Sequence, residues 1–280
     1  MTTNKKNQKG HSESLPQRME RLIGSVKKRK VKEAADLVYD SWETADDDEA
    51  YALLTEAVEL DPRNVDAWRG LMDYEPLGRE EEIAFLRQLV ALGEKNLGKK
   101  VFQELKGHFW GFLETRPYMR ARARLAQRLV QAGRLEEAVT EHEGMLELCP
   151  SDNLGIRYGL MALYLALNNL EGANRLFREY DERKHFAMFA WAFVLERYLA
   201  GDADGAAEAL AAARKQNPYA EAYFSGAKKL PKRMPDAYSM GSQEEAVIAW
   251  NILQTAWEKH PSARDWVGGQ CAKKKAPPKP

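Results

Sequence analysis

Apolar residues along this chain recur every three or four positions, in stripes separated by short polar, glycine or proline breaks. That is the period of amphipathic helices rather than of strands. Val31, Ala34, Leu37 and Val38 make one stripe, Asp46-Asp47-Asp48 interrupts it, and Ala50, Leu54 and Ala57 begin a second that Asp61-Pro62 closes. Because proline has no amide hydrogen to continue a helical ladder, the unit reads as helix, turn, antiparallel helix, stop. From Met119 the same grammar returns: Leu125, Ala126 and Leu129, a turn at Gly133, then Ala138 and Met145, and Pro150 as the stop. A small residue marks the start of each second helix, at Ala50, Ala84, Ala138, Ala173, Ala206 and Ala246, with gaps of 34, 54, 35, 33 and 40. Periods of roughly 20–50 residues signal stacked arrays, and a small residue suits the point where two helix axes approach most closely. The pattern predicts an all-α repeat domain of five to six hairpins over residues 23–268.

Two stretches break the period. Residues 99–114 carry Val101, Phe102, Leu105, Phe109, Trp110 and Leu113 at helical spacing, which predicts an extra helix whose aromatic stripe is core rather than a docking element. Pro231, Pro235 and Gly241 rule out a continuous helix near 230–242, so a loop is expected there, allowing a last unit with Trp250 and Trp257 to cap the stack.

Composition narrows the class. Hydrophobic residues make up 44% of the 280 and charged residues 30%, enough for a continuous core with a solvated exterior. The formal net charge is zero but unevenly spread: residues 1–32 hold ten Lys and Arg against Glu13 and Glu20, and residues 273–280 hold four Lys. Residues 1–22 and the Lys/Pro-rich 269–280 are expected to be disordered basic tails around an acidic body. The uncharged run Phe186–Leu195 is far shorter than the ~20 residues a membrane helix needs, and no signal-peptide stretch opens the chain. A cytoplasmic protein without a membrane partner is expected. Cys149 and Cys271 stand alone, and His11, His108, His142, His185 and His260 share no ligand or triad spacing. No catalytic residue, metal site or cofactor is read, and an enzyme is not expected.

The succession Trp68, Leu71, Ala84; Leu160, Tyr164, Ala173, Phe177, Tyr180; Phe193, Gly201, Ala206, Leu210, Ala213, Pro218 resembles the tetratricopeptide repeat superfamily. A narrower set, Asn217-Pro218, Tyr223, Lys229-Leu230-Pro231, Gly241, Glu245-Ala246 and Trp257, with the stretches 109–120 and 152–158, is similar to the suppressor-of-tumorigenicity-seven family. The resemblance implies a right-handed superhelical solenoid of helical hairpins. Animal members of that family carry apolar N-terminal membrane segments, which this chain lacks, so membrane placement does not transfer.

From the superfamily's concave positions, the resemblance places Arg120, Gln127, Tyr158, Trp191, Leu195 and Tyr198 in a groove for a peptide or helix. The alternative for the rings is packing between repeats. Arg116, Arg120, Arg122, Arg124 and Arg128 form a second constellation, in which Arg116, Arg120, Arg124 and Arg128 offer an anion-binding column, against the alternative that Glu136, Glu137 and Glu141 on the next helix pair with these arginines. The function expected is a non-catalytic protein–protein interaction scaffold. The rival reading is a nucleic-acid-associated factor acting through the basic ends, Lys27-Lys28-Arg29-Lys30 in particular.

Overall fold

The computed structural model describes residues 13–25 and 28–275, with side chains to residue 270. The described residues are all-helical, without strands. They divide into two compact units, the first ending at Ser151 and the second beginning at Asp152, where the repeat pattern had predicted one domain over 23–268.

The first unit contains α1 (Leu15–Ser25), α2 (Val31–Glu43), α3 (Asp47–Leu60), α4 (Val65–Leu71), α5 (Arg79–Glu104), α6 (Arg116–Gln131) and α7 (Leu135–Leu148). Pairs α2–α3, α4–α5 and α6–α7 pack as hairpins, and α4 and α6 also pack on each other. In the second unit α8 (Ile156–Ala166) pairs with α9 (Leu170–Glu179), and α10 (Ala187–Leu199) with α11 (Ala203–Gln216). The short α12 (Glu221–Phe224), α13 (Gln243–Lys259) and α14 (Pro261–Lys275) follow, with irregular chain before Ser242, the N-cap of α13.

Local chemistry explains these boundaries. In three of the five second helices the orphan amides are met by an N-cap side chain: Asp46 caps α3, Asn169 caps α9 and Asp202 caps α11. Left-handed residues at Gly133, Asn168 and Gly201 turn the last three hairpins. Ala50, Ala138, Ala173, Ala206 and Ala246 are each the fourth residue of their helix and are almost fully buried. Ala84 departs from this phase and faces solvent. The inward stripe of α5 runs through Ile83, Leu86 and Leu89 instead. At Gly172 a built Cβ would sit 2.9 Å from the Tyr164 ring, so α9 lies directly on α8 there.

Three expectations need correction. Residues 15–22 are not a tail, because they belong to α1, which buries Leu15, Met19 and Leu22 at i, i+4 and i+7. Residues 269–275 are likewise helical, in α14. The remainder of the expected tails, 1–12 and 276–280, lies outside the described residues. The helix expected over 99–114 ends at Glu104; Gly107, with φ 92°, turns the chain into single 3-10 turns at Phe109–Gly111 and Leu113–Thr115. Of its aromatic stripe Phe109 is core, packed with the half-buried Phe102 and with Tyr118 at centroid distances of 5.0–6.2 Å, whereas Trp110 is half-buried and Leu113 is exposed.

Candidate functional site

In the first unit α2 carries two apolar stripes. Ala34, Val38 and Ser41 point into the core, while Val31, Ala35, Tyr39 and Trp42, at i, i+4, i+8 and i+11, line open space. Val31 is 53% exposed, and Tyr39 and Trp42 are each 44% exposed, in a helix whose core-facing side chains are nearly inaccessible. A helix needs one apolar stripe to join its hairpin; a second one left in water marks a face built for something else.

That face borders two cavities. One, of about 410 Å³, lies between the length of α2, the start of α4 and the Leu113–Arg120 segment. The other, of about 440 Å³, lies toward the end of α4. Trp42 and Arg120 line both, so together they form the ridge between them. The Arg120 guanidinium stacks 5.1 Å from the Trp42 ring and is held in place by a two-point ion pair with Asp66. Asp66, itself buried, takes a second contact from Arg69. Tyr39 meets Trp42 edge-on at 5.1 Å. The ridge is therefore rigid before any occupant arrives.

The remaining arginines of α6 are engaged within the unit. Arg124 pairs with Asp73, Arg128 with Glu82, and Arg116 donates to the Trp110 carbonyl while lying 5.3 Å over its ring. The column Arg116, Arg120, Arg124, Arg128 is thus a seam to the preceding hairpin rather than a free anion site. The carboxylates of the following helix meet the constellation at one point, where Glu141 takes Arg122 as expected, while Glu137 takes Arg134 and Arg87. Ion pairs also engage Arg29, with Asp61, and Lys30, with Glu33, in the basic run on which the rival nucleic-acid reading rests.

The other predicted groove residues have different fates. Gln127 is exposed and accepts a hydrogen bond from Arg124. Tyr158 donates to Glu182 at 2.9 Å and lies 4.3 Å under Arg157; burial first, then the Glu182 contact, pushes its pKa upward. Tyr198 is half-buried against Trp266. Trp191 and Leu195 are completely buried, so neither lines an accessible groove. Trp191 stacks on Phe224 at 4.4 Å, nearly parallel, and Trp257 of α13 lies 6.1 Å away.

The cause is α13, which packs chiefly against α8 and α10, the first helices of their hairpins. Consequently Leu160–Leu165 of α8 and Ala187–Ala192 of α10 are buried without interruption, more than a full turn in each case. Glu245 secures the start of α13. Its buried carboxylate accepts from the Ala187 amide at 2.9 Å, Asn217 Nδ2 at 2.9 Å, the Gly241 amide at 2.7 Å and Gln216 Nε2 at 3.3 Å. At the other end the His260 ring nitrogen bonds to the Leu165 carbonyl at 2.8 Å. The last helices thus fill a face rather than capping a stack.

A separate cleft of about 820 Å³ in the second unit has Phe193, Ala209 and Ala213 in its lining. Arg183 and Arg197 lie over the Phe193 ring, yet they are paired with Asp181 and with Glu196 and Asp202. It is larger than either first-unit cavity but lacks an exposed aromatic anchor, which makes the α2 face the stronger candidate. Among the described residues no group of three or more His, Cys, Asp or Glu is placed to hold a metal ion, and no helix is long and apolar enough to cross a membrane.

Tyr39 and Trp42 did not emerge from the repeat positions. Their signal was present in α2 itself, as the second apolar stripe beside the first. No family model matches the chain, and no curated protein does. Among solved structures it is similar to BtubC (BKLC) from P. vanneervenii, with 17% identity over 96% of this chain and 95% of that one, at a TM-score of 0.35.

Proposed function

We propose that this protein is a non-catalytic interaction scaffold, an array of tetratricopeptide-like hairpins that binds a protein segment on the open face of its first unit. The observation that carries the reading is the Trp42 ridge: a large aromatic side chain left half in water, fixed by Arg120 and Tyr39, between two cavities. Aromatic and arginine side chains in preorganised pockets supply most of the energy of protein interfaces. Five hairpins in succession, four of them with a buried alanine at the same helical position, support the repeat reading. Affinity capture from the source cell, comparing the intact chain with a Tyr39→Ala/Trp42→Ala variant of unchanged helicity, tests it. Partners retained by the first and lost by the second are the expected result, whereas identical partner sets overturn the assignment of the site.

A further inference from the structure

The second unit displays, within the same chain, a helix that a pair of first helices accepts together with the short α12. Across α8 and α10 lies a single helix, α13, whose inward face alternates small and large side chains: Ala246, Ala249, Trp250, Leu253, Ala256 and Trp257. Trp250 and Trp257 are seven residues apart, two helical turns, and both rings pack on Phe224 beneath them, at 5.2 and 5.1 Å. Its first turn brings Glu244 and Glu245, the acidic end favoured by the helix dipole. In the first unit α2, α4 and α6 are the corresponding first helices, and no helix among the described residues covers the α2 stripe.

Resting on the proposed reading of that face as a protein-binding groove, we infer that its occupant is an amphipathic α-helix of the α13 type, with two aromatic side chains two turns apart and an acidic first turn. Three features fit such a helix. The apolar positions of α2 from Val31 to Trp42 run for about three helical turns, the length over which a facing helix makes contact. The two cavities on either side of the Trp42 ridge give separate seats to two large side chains, which a helix delivers from one face. Arg63 lines the first cavity, and its guanidinium makes no ion pair among the described residues, so it complements the acidic turn of the incoming helix.

The test uses the full-length protein and labelled synthetic peptides, with binding followed by fluorescence anisotropy. The probe is the sequence of α13, residues 243–259. Saturable binding is expected, weakened by about tenfold or more when the peptide carries Trp250→Ala and Trp257→Ala, or when the protein carries Trp42→Ala, as for loss of an interface anchor. Arg63→Glu in the protein is expected to weaken it by a smaller factor, about threefold to tenfold. An Asn251→Pro peptide keeps both tryptophans but cannot form the helix, and it should bind at least about tenfold more weakly.

Equal binding of the Asn251→Pro peptide overturns the helix while leaving the groove reading intact. Binding that ignores Trp42→Ala overturns the location, since the peptide then acts by replacing the chain's own α13. Absence of saturable binding up to about 1 mM overturns the inference, independently of the capture experiment that decides the groove itself.

Discussion

The first helices of the two units share a hairpin role and differ in what their free faces meet. On α8 and α10 the face toward α13 is covered, and Trp191 is a core residue stacked on Phe224. On α2 a comparable apolar stripe ends in water, and Trp42 is an exposed ridge. The difference does not lie in the hairpins. It lies in whether a further helix among the described residues covers them, which leaves an aromatic residue on such a helix buried in one unit and exposed in the other.

This contrast is open to measurement. Trp257→Ala should cost about 3–5 kcal/mol, the range for removing a buried tryptophan, whereas Trp42→Ala should stay within about 1 kcal/mol. Denaturant unfolding of the two variants decides it, and equal costs would mean that the α2 face is as closed as that of α8. Glu245→Ala strands several donors around α10 and α11 and is expected to cost about 3 kcal/mol, read in the same way. Gly172→Ala drives a methyl group into the Tyr164 ring and should cost about 1–3 kcal/mol; a neutral result would show that α8 and α9 have room to separate.

The smallest expected effect concerns the first unit's surface ion pairs. The Glu137 carboxyl is pulled down to about 2, chiefly by the hydrogen bond from Arg134 and then by that from Arg87. A carboxyl depressed in the folded state contributes stability that is fully present above its unfolded value, 4.5, and is lost as pH falls through about 2. An NMR titration of Glu137 should therefore show a midpoint near the lower value, and one near the unfolded value would show the pair to be open in solution.

The hairpins were legible in the sequence because they are local. Alanine spacing, Gly133, Gly201 and the proline stops all report on neighbours a few residues away. Ala84 misled by its composition, since an alanine on the solvent side of α5 reads the same as one on the inside until Ile83, Leu86 and Leu89 are traced as the continuous stripe. The fate of Trp191 and Leu195 was not legible, because the helix that covers them lies some fifty residues further along, and no local period announces where a distant helix docks. Likewise the carboxylates pairing with Arg120, Arg124 and Arg128 of α6 are Asp66, Asp73 and Glu82 of the preceding hairpin, a choice fixed by packing between hairpins rather than by proximity along the chain.

Glu245 gathers the start of α10, the end of α11 and the Gly241 turn around one carboxylate, while the chain from Gly226 to Arg233, rich in lysine, stays on the exterior. The covalent link between α12 and α13 is consequently not what keeps α13 in place. Trypsin cutting at Lys228, Lys229, Lys232 or Arg233 should leave two fragments that travel together under native conditions and part only in denaturant, so this chain has a ready-made seam at which it can be split and reassembled from halves.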